Sequence, residues 1–166
     1  MPQGPAARLG DPVSHLLPPV LTGGPTAITV IIGGQPAWRG IPLAAVAALQ
    51  TAKTAADTAI QTAVAATIAA PDPTSKATAY AAEQAVKTAA LTAMSSAIAS
   101  AGAGSDTHVC ATPSPVPPHG PGVVITPSAT VTVAFMPAAR QGDTILEAIG
   151  PPNTISMGCP TVIIGG

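Results

Sequence analysis

The sequence predicts a mainly β protein that is built from three pseudo-repeats and carries an inserted α-helical hairpin. The first observation is a short string that occurs three times, beginning at Pro5, Pro36 and Pro137, with an arginine three residues after each proline. The second observation is that the 20 prolines and 16 glycines lie almost wholly outside residues 43–101, where alanine dominates. Repetition indicates a repeat architecture, while proline and glycine mark turns and alanine favours helices.

The residues around the middle copy predict a β-hairpin. Residues 28–32 are rich in β-branched side chains and predict a strand, Gly33 and Gly34 supply the positive φ angles of a tight turn, and residues 35–39 return as the partner strand. Related strand sequences occur at residues 130–135, before the last copy, and at residues 161–166. Each copy is therefore predicted to form a hairpin.

The alanine-rich part predicts two helices, Leu43–Ala70 and Thr74–Ala101, separated by prolines at positions 71 and 73 that a helix does not easily pass. Asp72 or Thr74 is predicted to cap the second helix. Removing residues 41–103 would restore a middle unit similar to the first copy. We therefore expect a β domain at residues 1–40 and 104–166, and an Ala/Thr-rich helical hairpin insertion at residues 41–103.

Composition limits the possible functions. Only 8% of the residues are charged and 2% are aromatic, and the six basic residues exclude a nucleic-acid footprint. Aspartates that follow glycine are typical turn residues, so we predict no enzyme activity. The uncharged run Thr88–Ser105 is too short and too weakly apolar for a membrane span. No signal peptide is predicted, and we expect the protein to stay in the cytoplasm until another component carries it out.

Further motifs follow one another along the chain. They lie at Gly10–His15, Asp106–Cys110, Pro117–Gly120, Pro151–Ile155 and Gly158–Val162. Together with the proline-alanine-alanine-arginine strings, this series resembles the PAAR family of spike-tip proteins over the whole chain except the helices. The resemblance implies a compact cone-shaped β-fold that caps a trimeric VgrG-like spike, in a type VI secretion system or in an extracellular contractile injection system. It also implies a transient contact between the point of the cone and the target membrane.

The same resemblance implies a zinc ion near the point, held by three histidines and one cysteine. The chain contains three histidines, His15, His108 and His119, and each lies in one of the motifs. For the fourth ligand Cys159 is favoured narrowly over Cys110, with Glu147 as a third alternative. A zinc ion with four protein ligands has no open position, so its role would be structural.

Two further expectations concern recurring positions. Arg8, Arg39 and Arg140 are predicted to form equivalent hydrogen bonds or ion pairs with the aspartates that follow them. An apolar base is predicted to dock the spike, formed by these residues or their neighbours: Val30, Ile32, Val131, Val133, Val162 and Ile164.

Two functions follow from these expectations. The first is a structural tip that caps and sharpens the spike, aids membrane puncture and carries an attached effector. The alternative is an effector or cargo-carrier protein whose helical insertion is the delivered or docking module. The sequence does not distinguish a type VI system from an extracellular injection particle.

Overall fold

A computed structural model of the chain describes residues 3–15, 17, 19–24, 26–113 and 118–165. Within these ranges the chain forms two helices and ten short strands, which is a mixed α/β arrangement. The expectation of a mainly β chain is corrected, because the helices of 27 and 29 residues contain more residues than all the strands together. Most of the proline-rich segment before His119, residues 114–117, lies outside the described residues.

The strands form small antiparallel sheets. They are β1 (Gly4–Ala6), β2 (Ala27–Ile32), β3 (Gln35–Ala37), β4 (Thr107–Pro113), β5 (Pro118–Val124), β6 (Thr132–Val133), β7 (Met136–Pro137), β8 (Thr144–Glu147), β9 (Asn153–Thr154) and β10 (Cys159–Ile164). Three sheets have two strands each, namely β1–β10, β2–β3 and β6–β7, and the fourth sheet has the order β4-β5-β8-β9. Each two-stranded sheet contains the start of one copy of the repeated string.

The predicted middle hairpin is confirmed. Strands β2 and β3 pair, and Gly33 and Gly34 form the turn with φ angles of 54° and 83°. The corresponding turn between β6 and β7 is made by Ala134 and Phe135, with φ angles of 46° and 68°. Such angles are uncommon for residues that carry a Cβ atom. This turn is therefore held in a backbone conformation that its own residues do not favour.

A closed ring of backbone hydrogen bonds joins the three copies. The Ala7 N–H donates to the Ala139 carbonyl at 3.0 Å, Ala139 donates to Trp38 at 3.0 Å, and Trp38 donates to Ala7 at 2.8 Å. Trp38 is buried where the other two copies have alanine. The main core surrounds this ring and consists of Ala7, Val13, Leu21, Trp38, Val124, Ala139, Ile145 and Ile155.

The predicted arginine–aspartate contacts are confirmed in all three copies. The backbone N–H of each arginine donates to a carboxylate oxygen, at 2.7 Å in Arg8–Asp11, 2.8 Å in Arg39–Asp106 and 2.9 Å in Arg140–Asp143. A side-chain ion pair accompanies each backbone contact. The first and third pairs are three residues apart, whereas the middle pair is 67 residues apart. Asp106 thus occupies the position in the middle copy that Asp11 and Asp143 occupy in the others.

The two predicted helices are confirmed as α1 (Leu43–Ala69) and α2 (Pro73–Ala101). Asp72 is the N-cap of α2, because its carboxylate accepts from the backbone N–H groups of Thr74 at 3.0 Å and Ser75 at 2.9 Å. The hairpin shares a second core with β5, β8 and the segments beside them, formed by Ile41, Leu49, Met94, Ile98, Val123, Ile125, Leu146 and Ala148. The division of the chain into two domains stays a prediction. Among the described residues, neither helix combines the length and apolarity that a membrane span requires.

Candidate metal centre

Three potential metal ligands lie at equivalent positions of the three copies. His15, Cys110 and Glu147 each follow the aspartate of their own copy by four residues. One ligand atom from each lies within 4.8 Å of the other two. Since the arginine–aspartate contacts place each aspartate in the same way, the three chain segments that follow converge on one point. The result is a possible metal-binding triad, for which the identity of the metal is not fixed.

His108 lies beside this triad. Its Nε2 is 2.8 Å from His15 Nε2, and its Nδ1 is 3.3 Å from the backbone N–H of Thr22, which donates to it. Burial, together with the nearby His15, lowers the pKa of His108 to about 4. Burial also lowers the pKa of His15, against the attraction of Glu147 for a charged ring. Both imidazoles are therefore neutral near pH 7, which is the form that binds metals.

His119 approaches the triad from strand β5. Its Nδ1 lies 2.6 Å from Glu147 Oε2, so the ring donates a hydrogen bond to this carboxylate. The ring packs against Gly150, where a Cβ atom would lie 2.6 Å from His119 Nε2. The absence of a side chain at Gly150 makes room for the ring, and its φ of 84° is a second reason for glycine at this position.

The structure brings the three predicted histidines together but does not bring Cys159 to them. Cys159 lies in β10, paired with Ala6, and its Sγ is 3.3 Å from Thr161 Oγ1. The sulfur in the cluster belongs to Cys110, and the carboxylate of Glu147 lies between His15 and His119. Cys159 as the fourth ligand stays a prediction, and the two alternatives, Cys110 and Glu147, are the residues that lie with His15. Counting four residues from each aspartate would have selected them, but that count needs the equivalence of Asp106, which the insertion hides in the sequence.

Two buried polar atoms of the cluster have no hydrogen-bond partner among the described residues. They are His15 Nδ1 and Glu147 Oε1, the latter 3.2 Å from His15 Nε2 but without hydrogen-bond geometry. Glu147 is fully buried. Buried polar groups are costly unless they are paired, and a buried carboxylate is stabilised by a cation. The donor set of imidazole, thiolate and carboxylate fits zinc.

Comparison of the chain with protein-family models, with curated proteins and with solved structures gives no match. The functional interpretation therefore depends on the repeated residues and on the geometry of the cluster.

Proposed function

We propose that the protein is a structural tip that caps the trimeric central spike of a contractile injection machine, of the type VI or the extracellular kind. The observation that carries this proposal is the closed ring formed by Ala7, Trp38 and Ala139, which relates three equivalent units within one chain. A partner of three identical subunits offers three equal surfaces around its axis. A single chain with three similar sides matches such a partner at its end.

The exposed apolar residues of the hairpins support docking on a protein surface. Ile31, Phe135 and Ile163, one on each two-stranded sheet, are exposed by 56%, 98% and 56%. Val133 and Ile164, which were expected to form the base, are buried in an inner cluster instead, and the other four expected residues pack partly against it: Val30, Ile32, Val131 and Val162. A fully exposed phenylalanine in a strained turn is typical of a residue that is buried by a partner. The docking surface of the proposal is therefore formed by Ile31, Phe135 and Ile163.

In this proposal a zinc ion is a structural staple and not a catalyst. Its donors come from the cluster around Glu147, where segments of all three copies meet. A metal that ties these segments stabilises a domain that has few large side chains for a core. A rigid point suits a part that is driven into a membrane by force. The tip would stay in the cytoplasm until it is assembled on the spike, and would leave the cell with it.

The test is binding of the full chain to a trimeric VgrG-like spike, followed by native mass spectrometry. We expect one chain per trimer. Phe135→Ala is expected to weaken binding roughly tenfold or more, because buried aromatic anchors dominate interface energies. Ile68→Ala is the matched control, since Ile68 is 74% exposed but lies on α1. Absence of the complex, or equal effects of the two variants, would contradict the proposal.

A second candidate is a cargo carrier whose docking module is the helical hairpin. A groove of about 490 Å³ between the helices favours it, because the lining consists of alanines with Val86 and Met94 and is open to a partner. A variant in which residues 40–105 are replaced by Leu-Gly, the two residues between Arg8 and Asp11, separates the functions. Retained spike binding with loss of a co-delivered protein would support the carrier. Loss of spike binding in a folded variant would assign the hairpin to the spike interface.

A further inference from the structure

We infer that the third copy contributes Glu147 to the metal as a ligand, together with His15 and Cys110, and that His119 holds this carboxylate in place without binding the metal itself. The inference rests on the metal binding proposed above. It differs from the ligand set expected from the sequence, in which His119 and Cys159 bind the ion.

The three copies hold their aspartates by the same backbone contact. The backbone contacts of Arg8, Arg39 and Arg140 with their aspartates fix the same starting point in each copy. Four residues further on, the copies present an imidazole, a thiol and a carboxylate, with one ligand atom of each within 4.8 Å of the others. His119 has no such position, because it belongs to the strand that returns after Cys110. The repeat therefore supplies one donor per copy, and in the last copy that donor is Glu147.

The two carboxylate oxygens of Glu147 have different surroundings. Its side chain is fully buried, and its Oε1 points toward His15 without forming a hydrogen bond. Its other oxygen, Oε2, is already held by His119. The carboxylate thus has one oxygen fixed and one oxygen available on the side of the triad. A buried anion in this state needs a cation, and zinc accepts a carboxylate oxygen beside nitrogen and sulfur.

The two ring nitrogens of His119 have different neighbours. Nδ1 lies 2.6 Å from Glu147 Oε2, and Nε2 lies against Gly150. A ligating carboxylate is usually fixed by a hydrogen bond from a neighbouring group, which sets its orientation toward the metal. His119 makes this hydrogen bond, so it is a positioning residue for Glu147. Because Nε2 faces Gly150, the ring in this orientation could offer the ion only Nδ1, and would then give up its contact with Glu147.

The test uses the full chain, stripped of metal with a chelator and reloaded with Zn²⁺ or Co²⁺. His119→Gln keeps a side-chain N–H donor for Glu147, whereas His119→Ala removes it. We expect His119→Gln to bind one ion with nearly the affinity of the original chain and His119→Ala to bind about 10- to 100-fold more weakly. The cobalt absorption spectrum should be unchanged in His119→Gln and altered in Glu147→Gln. Equal damage in both His119 variants, with an unchanged spectrum in Glu147→Gln, would overturn the inference.

Two controls complete the design. Cys110→Ser should abolish the thiolate-to-cobalt charge-transfer band, while Cys159→Ser should keep it. X-ray absorption at the zinc edge of the unaltered protein needs no variant to fold. We expect one sulfur and at most two imidazoles, those of His15 and of His108, whose Nε2 atoms are 2.8 Å apart. Three imidazoles would overturn this ligand assignment but would leave the proposal of a structural metal ion intact. Failure of the unaltered chain to bind either ion would refute the metal site, whereas spike binding, measured separately, would still decide the tip function.

Discussion

The β part and the helical hairpin are stabilised in opposite ways. In the β part, an arginine–aspartate ion pair recurs in every copy, and the most buried of them, Arg39–Asp106, joins segments 67 residues apart. In the hairpin, the ion pairs Lys53–Asp57 and Glu83–Lys87 are local, four residues apart on one helix. The helices otherwise pack through alanines and a few larger side chains. Polar contacts therefore fix the relative positions of the repeats, whereas the two helices meet mainly through apolar side chains, with a hydrogen bond between Thr67 and Glu83.

Asp106→Ala should lower the free energy of unfolding most, because it removes the carboxylate from the buried guanidinium of Arg39 at the base of the insertion. Breaking a buried pair by removing one partner costs about 3–5 kcal/mol of unfolding free energy. Asp11→Ala is the matched variant, and its effect should be smaller, since the Arg8 side chain is 19% exposed against 7% for Arg39. Urea unfolding of both variants measures the difference. Equal losses would show that burial of the pair does not matter.

Ile98→Ala tests the apolar packing that joins the two regions. Ile98 of α2 is buried in the cluster that includes Val123 of β5 and Leu146 of β8. Truncation of such a side chain costs about 2–5 kcal/mol, through lost burial and the cavity left behind. Ile68→Ala, on the exposed face of α1, should change the unfolding free energy by less than about 0.5 kcal/mol. A small effect of Ile98→Ala would mean that the hairpin contributes little to the stability of the β part.

The stability of the β part should depend on pH through Asp143, the aspartate of the third copy. Burial raises the pKa of Asp143 to about 6, although hydrogen bonds from Arg140 and Thr126 oppose this change. Folding thus favours the protonated carboxyl, so its contribution is complete below pH 4 and is lost as the pH rises through 6. This loss is at most about 3 kcal/mol. Unfolding free energies of the original chain and of Asp143→Asn, measured from pH 4 to 7, should diverge by this amount, and parallel curves would contradict the assignment.

The smallest effect is expected at the turn of the hairpin. Asp72→Ala removes the side chain that accepts hydrogen bonds from Thr74 and Ser75 at the start of α2. Loss of an N-cap costs about 1 kcal/mol. Asp72→Asn keeps an acceptor oxygen and should recover most of that loss. Thermal unfolding of the two variants checks the order, and equal effects would indicate that the cap contributes nothing.

Local signals explain what the sequence predicted correctly. The strand before Gly33, the two helices around Asp72 and the arginine–aspartate pairs all depend on residues that are adjacent or repeated. Such signals act over a few residues, and the physical reasons for them, backbone φ preference, helix propensity and capping, do not need the rest of the fold.

Long-range packing explains what the sequence did not settle. The choice between Cys110 and Cys159 depends on which segment follows the aspartate of the middle copy, and the helices separate that aspartate from its arginine. The turn at Ala134 and Phe135 was also hidden, because the middle hairpin suggested glycine at such positions. Both residues carry a Cβ atom and nevertheless adopt positive φ angles in the structure.

We call the turn held by each arginine–aspartate pair a corner. The two partners are three residues apart at two corners and 67 residues apart at the third, which has a practical consequence. The corner at Arg39 keeps its contacts although a long segment enters and leaves there, so its geometry is independent of the length of chain that bridges it. Gly10 and Gly142 lie at the other two corners, where an added Cβ atom would meet no neighbour within 4 Å. We therefore expect segments grafted in place of Gly10 or Gly142 to meet no steric obstacle, which would give one attachment site in each of the three copies.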